Sequence, residues 1–381
     1  MDMKAPTWRP QREVGNFGQV EDGALRVGPL GNMHKTLMDL GVDATALFAG
    51  FGLSQAYLAQ SDNIIPFTVL GELLCRAEAL TQCPHLGLLI GRDAPPSPLG
   101  MISELLPHCS DVGTALTYLQ EFFHLHDRGA IPTRWVEGDL ASLGYSVIAP
   151  MPCGVEHVHE GGLVIACKIM QVLCGPRWRP QSVQLARRWP DDPRPYREIF
   201  ACPIEFDSEH YALVFPAADL RKPIIGSDRN RFQALSERLT DIRNQADLCF
   251  LEQARRTIQG LVVLRRCSLD EVAATFAVNR RTMNRMLAAS GTTYRELLES
   301  VRRTLAQRLI AHTDLPLAAI AATLDYSDPS AFCRAYRAWV GETPRGRQRK
   351  PSTRPVDTTG PGTDLPRLKP PVRRGPQRRG D

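Results

Sequence analysis

Apolar residues recur at helical spacing through most of the chain, and at alternate positions through one central stretch. Phe67, Leu70, Leu73, Leu74, Ala77 and Leu80 share one helical face. Ala115, Leu116, Leu119, Phe122 and Phe123 form a second such face behind the polar pair Ser110-Asp111. Residues 133–136 and 142–147 read instead as strands flanking the polar turn Glu137-Gly138-Asp139, a hairpin. Val155 to Cys174 predicts a largely buried helix stopped by Gly175-Pro176. Residues 182–185 predict a short strand and 196–200 a brief helix, while 204–206 and 212–215 predict another strand pair. Grouped strands, without a strand–helix–strand alternation, predict an α+β front domain. Residues 232–245 read as a connecting helix, and everything from Gln259 to Val340 reads as helical.

The back third repeats itself. Leu269-Asp270-Glu271-Val272-Ala273-Ala274-Thr275-Phe276 returns 48 residues later as Leu317-Ala318-Ala319-Ile320-Ala321-Ala322-Thr323-Leu324. Each copy leads through a short turn into an amphipathic, Arg-bearing segment, the pattern of two helix-turn-helix units in one chain. The first opens on a capping box, Ser268-x-x-Glu271, in which each side chain would satisfy the other's backbone N–H. Asn279 would cap its second helix, with Met283, Met286 and Leu287 inward. Asn279, Arg280, Arg281, Asn284 and Arg285 are left as DNA-contacting candidates. Arg can fork onto guanine and Asn onto adenine in the major groove, while others in the set would grip phosphate and only fix register. In the second unit Pro316 suits a first helical turn, Ser327 or Asp328 caps the reading helix, and Phe332, Tyr336 and Trp339 pack inward. Ser327, Ser330, Cys333, Arg334 and Arg337 are its candidates.

Between the units, Thr293-x-x-Glu296 opens a long helix with Tyr294, Leu298, Val301, Leu305 and Leu309 along one side, ending near His312. About twenty residues at 1.5 Å rise give a rod of about 30 Å, close to the ~34 Å turn of B-DNA. Such a rod would place two reading helices in successive major grooves on one face of the duplex.

Charge sharpens the division. The chain of 381 residues carries a net +5. Val262 to Asp381 holds 22 Lys or Arg against 11 Asp or Glu, a net +11, which leaves −6 for the rest. An acidic front and a basic back fit a regulatory domain joined to a polyanion-binding one. At 43% apolar and 23% charged residues the composition suits a globular, soluble protein. Ten scattered cysteines without a Cys-x-x-Cys pair fit a reducing cytoplasm. No signal peptide and no membrane-length apolar run is legible. The predicted organisation is a disordered terminus at 1–30, an α+β effector and dimerisation domain at 31–230, and a connecting helix at 231–258. A tandem helix-turn-helix domain follows at 259–350 and a basic Pro/Gly/Arg tail at 351–381, too poor in large apolar side chains to order itself.

Residues 260–350 resemble the tandem helix-turn-helix domain of the AraC family of bacterial transcription regulators. The likeness rests on Ser327-Asp328-Pro329-Ser330-Ala331-Phe332-x-Arg334-Ala335-Tyr336-Arg337-x-Trp339-x-Gly341-x-Thr343-Pro344 and on Asn279-Arg280-Arg281-Thr282-Met283-Asn284-Arg285-x-Leu287. The front is similar to the branch with an arabinose-binding-type N-terminal domain, through Pro84-His85-Leu86-Gly87-Leu88-Leu89-Ile90-Gly91, Gly175-Pro176-x-Trp178-x-Pro180 and Phe200-x-Cys202-Pro203-Ile204-x-Phe206. The resemblance implies a regulator of promoter DNA under a small-molecule effector, a homodimer, and RNA polymerase as partner if it activates. It does not fix the effector. Asp325 stands where the family often has Gly, and an aromatic is usual near Arg347.

Other chemistry is thin. His124-x-His126-Asp127 and His157-x-His159-Glu160 invite a metal reading, but histidines two apart share a face only on a strand, and both pairs fall at helix ends. No cofactor or catalytic motif is expected. Cys249 and Cys267 could sense oxidants only if exposed with a depressed pKa. The alternatives are a metal-dependent or other enzyme tethered to nucleic acid by its basic domain, and a nonspecific architectural DNA binder. The first lacks a catalytic cluster, and the second needs no front domain.

Overall fold

A computed structural model describes residues 20–149, 151, 153–208, 210–245, 250–263, 267–276, 278–312, 317–326 and 328–344. The tail beyond 350, Arg347, Pro316, Ser327 and Cys249 lie outside the described residues.

Strand β1 (Ala24–Arg26) pairs antiparallel with β2 (Ile64–Pro66), Leu25 opposite Ile65. Between them run α1 (Met33–Asp39), α2 (Ala44–Ala49) and α3 (Gln55–Leu58). Asp43 caps α2 by accepting from the Thr45 and Ala46 N–H groups, and Ser54 caps α3 from Tyr57 N–H. Then follow α4 (Phe67–Thr81), α5 (Leu86–Asp93), α6 (Met101–Leu105) and α7 (Val112–Phe122). The disorder expected for 1–30 is therefore corrected over 20–30. Leu25, Val27 and Leu30 are buried with Phe48, Ile65 and Phe67 in one core. The Arg26 guanidinium donates to the carbonyls of Leu125 and Asp62 at 2.9 and 2.8 Å.

The main sheet follows as β3 (Ala130–Glu137), β4 (Leu140–Val147), then α8 (Val155–Cys174), β5 (Ser182–Gln184), α9 (Arg194–Phe200), β6 (Ile204–Glu205) and β7 (Ala212–Pro216). Its order is β3-β4-β7-β5-β6. The β3–β4 hairpin turns at Gly138, whose φ of +58° a side chain would disfavour. Two expectations need correcting. β6 does not pair with β7: it lies parallel to β5, and β7 fills the place between β4 and β5. The stretch β5-α9-β6 is thus one strand–helix–strand crossover, because parallel neighbours need a connection that returns the chain to the same edge. α8 crosses α5 so closely that a Cβ on Gly91 would stand 2.7 Å from the Gly161 carbonyl oxygen. α8 buries Leu163, Val164, Cys167 and Met170 against the sheet.

The stretch expected as a connecting helix holds α10 (Arg229–Gln245) and α11 (Phe250–Val263), and residues 246–249 between them lie outside the described residues. They serve different cores. Leu239 of α10 is buried among the sheet residues, whereas Ala254, Ile258 and Val262 of α11 belong to the helical back half. The back half continues with α12 (Leu269–Thr275), α13 (Arg280–Ala289), α14 (Tyr294–His312), α15 (Leu317–Thr323) and α16 (Pro329–Val340). One contiguous apolar cluster runs through α11 to α16. The most buried line on α14 is Leu297, Val301, Leu305, Ala306 and Ile310; Tyr294, Leu298 and Leu309 are only partly buried beside it. The stripe is broader than the sequence pattern suggested because α14 packs on units to both sides.

Candidate nucleic-acid interface

In the first unit Ser268 accepts from Glu271 N–H at 3.1 Å, but the Glu271 carboxylate makes no return bond, so the expected box is half formed. The box at the start of α14 is complete: Glu296 N–H donates to the Thr293 hydroxyl at 3.3 Å, and Thr293 N–H to the Glu296 carboxylate at 2.9 Å. The bond from Thr293 N–H holds the Glu296 carboxyl below the usual carboxylate range. Asn279 caps α13 by accepting from Thr282 N–H at 2.9 Å. Met283 and Leu287 are fully buried beneath, Met286 is half-buried, and Arg280, Arg281, Asn284 and Arg285 are exposed together on the outer face. Arg280 reaches Asp270 at 3.4 Å, an exposed pair that DNA phosphates could replace.

In the second unit the cap falls to Asp328, which accepts from Ala331 N–H at 2.8 Å; that bond pulls its carboxyl pKa down. Pro329 occupies the first turn and Gly341, at φ +82°, ends the helix. Phe332 and Tyr336 are fully buried. Ser330, Arg334 and Arg337 are exposed, whereas Cys333 is half-buried and packs against the core. The sequence separated inward from outward positions by spacing alone and missed this intermediate placement. It also missed two ties from the linker helix to the second unit. Trp339 Nε1 donates to Glu299 at 2.8 Å. Arg302 reaches Asp325 and lies over the Tyr326 ring, 5.1 Å from its centroid.

The front half holds an apolar cavity of about 90 Å³ among α4, α5, β4 and α8, lined by Leu70, Leu74, Ile90, Leu143, Ile165 and Ile169. Its polar edge is Asp127 with Tyr145, whose hydroxyl donates to the carboxylate at 2.7 Å. Asp127 also accepts from Gly129 and Ala130 N–H, both at 2.8 Å. Burial nevertheless pushes its pKa up to about 6. These residues come from segments far apart in the chain, so no local signal announced the cavity.

The four histidines are occupied or enclosed singly. His157 pairs through Nε2 with Glu78 at 3.0 Å, and His159 stacks on Tyr211 with centroids 4.3 Å apart. Burial pushes His124 and His126 down to about 3. Among the described residues no group of three or more His, Cys, Asp or Glu could hold a metal ion. Burial raises the Cys267 thiol, outweighing the Tyr294 hydroxyl 3.4 Å from its sulfur, which favours the charged form; the net direction opposes thiolate chemistry. Among the described residues no helix is long and apolar enough to cross a membrane.

Comparison with known proteins accounts for both halves. A family model described as the arabinose-binding domain of AraC transcription regulator, N-term, matches residues 41–224, and one described as a helix-turn-helix domain matches 272–350. The chain is similar to the ornithine utilization regulator of Pseudomonas aeruginosa, 26% identical over 326 residues, 83% of this chain and 95% of that one. It is also similar to the HTH-type transcriptional regulator VirS of Mycobacterium tuberculosis, 24% identical over 328 residues, 84% and 95% of the two chains. The crystal structure of the transcriptional regulator CdpR from Pseudomonas aeruginosa is 22% identical over 69% of this chain and 86% of that one, at a TM-score of 0.34, too low to bear on how the parts are arranged. The domains and relatives are those of a transcription regulator and not of an enzyme. With an AraC-type N-terminal domain in front of a helix-turn-helix DNA-binding domain, this chain belongs to the AraC family of transcription regulators.

Proposed function

We propose that the protein is a cytoplasmic regulator whose two reading helices, α13 and α16, enter successive major grooves of promoter DNA under control of a small molecule bound in the front half. The single observation that carries the reading is the unbroken apolar core from α11 to α16, which fixes both reading helices to the rod α14. Arg281, Asn284 and Arg285 read bases in the first groove; Arg280 shifts from Asp270 to phosphate, with Asn279 holding the helix start. Arg334, Arg337 and Ser330 serve the second groove, and Cys333 contributes only a flank. The effector half extends through α10 and the DNA-binding half begins at α11, a division that follows the two cores.

The apolar lining suits an effector with a hydrocarbon or aromatic body and one polar group facing Tyr145 and Asp127. Its occupancy shifts DNA binding only by favouring one arrangement of the halves. Dimerisation through the front half and contact with RNA polymerase fit the same reading. Footprinting of the full chain on selected genomic fragments tests it. Two protected stretches about one helical turn apart are expected, and Arg281→Glu or Arg285→Glu should abolish sequence preference. Unchanged binding by both variants contradicts the assignment of α13.

A further inference from the structure

A second cleft of about 290 Å³, with a mixed apolar and polar lining, lies between the front half and the first helix of the back half. Thr117, Gln120 and Arg134 of α7 and β3 form one wall, and Gln253, Arg256 and Thr257 of α11 the other. Arg134 is half-buried. Its guanidinium donates to the Gly113 carbonyl at 3.0 Å and the Thr117 hydroxyl at 3.3 Å, and among the described residues no carboxylate pairs with it. A guanidinium withdrawn from water without a counter-charge is costly.

The acids nearby are committed elsewhere. Glu121 is paired with Arg243, and Asp127 is turned to Tyr145 and two backbone N–H groups. Arg256 shares Glu252 and Asp22, each at 3.1 Å. Among the described residues, Gln253 and Thr257 make no side-chain hydrogen bond. Around Arg134 the cleft thus offers a guanidinium and neutral side-chain donors with no free carboxylate beside them.

We propose that this cleft binds a small organic anion, a carboxylate or a phosphate ester, gripped by Arg134 on one wall and by Arg256, Gln253 and Thr257 on the other. The Arg134 fork matches the two oxygens of either group, and the volume limits the ligand to a small one. The site goes beyond the apolar cavity, which it adjoins across Phe123, Asp127 and Pro132. Its two walls belong to different cores, so a bound anion ties α11 to β3 and thereby acts on the first reading unit.

The test is calorimetric titration of the full chain, at constant ionic strength, with succinate in one arm and glycerol 3-phosphate in the other, against chloride. Saturable binding of at least one probe is expected, weakened roughly tenfold or more by Arg134→Met and by Thr257→Val, the loss of a charged and a neutral hydrogen bond. If Arg134→Met fails to fold, as judged by circular dichroism, Thr257→Val and Gln253→Ala carry the same test from the opposite wall. Arg285→Met on the DNA-reading face should bind the probe as the parent does. The proposal is overturned if neither probe binds up to roughly 10 mM, if the cleft variants bind normally, or if Arg285→Met alone abolishes binding.

Discussion

Arg302 donates both to the backbone oxygen and to the carboxylate of Asp325, each at 3.2 Å. Asp325 sits at φ +59°, in the left-handed region that favours glycine. A residue of the rod thus braces the turn of the second unit at the position where the chain departs from the family's usual Gly. The departure is compensated in place, by an ion pair and by the stacking of Arg302 on Tyr326.

Arg302→Met should therefore lower stability by about 1 kcal/mol, the modest figure reflecting a partly exposed pair. Asp325→Ala should cost more, about 1–2 kcal/mol, since it loses the pair and keeps the strained backbone. Asp325→Gly should be nearly neutral. Denaturant melts of the three variants check the order.

On the proposed reading the exposed arginines divide by role. An Arg that forks onto a base should, when replaced by Ala, cost about 1–3 kcal/mol at one base position, whereas a phosphate-gripping Arg should weaken all sequences alike and flatten the salt dependence. Arg281→Ala and Arg285→Ala should show the first behaviour in the first groove and Arg334→Ala in the second. Arg280→Ala should show the second. Binding to a library of single-base operator variants at two salt concentrations separates the classes.

The buried Asp127 predicts a pH effect of definite sign. Its folded pKa, about 6, lies above its ordinary value of 3.8. Its contribution to stability is fully present below about 4 and is lost as pH rises through about 6. Tyr145→Phe removes a bond that favours the charged form and should push the transition higher. Asp127→Asn should remove this component. Melting temperature against pH for the three proteins checks it.

Gly91 and Gly161 let α5 and α8 touch backbone to backbone. Gly91→Leu should force the helices apart and cost at least about 3 kcal/mol, at the upper end of overpacking penalties, because backbone cannot yield as a side chain does. Thermal unfolding measures the loss, and α13 should retain its DNA preference in whatever protein remains folded.

Local signals carried much of this fold. Helix Val155–Cys174 was legible from its apolar content and its terminal Gly175, and the caps at Ser268, Asn279 and Thr293 marked helix starts. Pairing between distant segments was not legible. Ala24–Arg26 is three residues long and finds its partner at Ile64–Pro66, so nothing near it in the chain declares a strand. The two residues of β6 gave no hint that they lie parallel to β5. On the reading helices, spacing separated Met283 and Leu287 from Arg281 and Arg285. It could not grade Cys333, whose burial depends on how the helix rolls against the core.

The most direct test of the central claim is the affinity of the full chain for its operator before and after insertion of about five base pairs, half a turn, between the two protected stretches. A rod that fixes both reading helices predicts loss of the second protection and a fall in affinity toward that of a single half-site. An inserted operator that binds as tightly as the original, with both stretches still protected, contradicts the account.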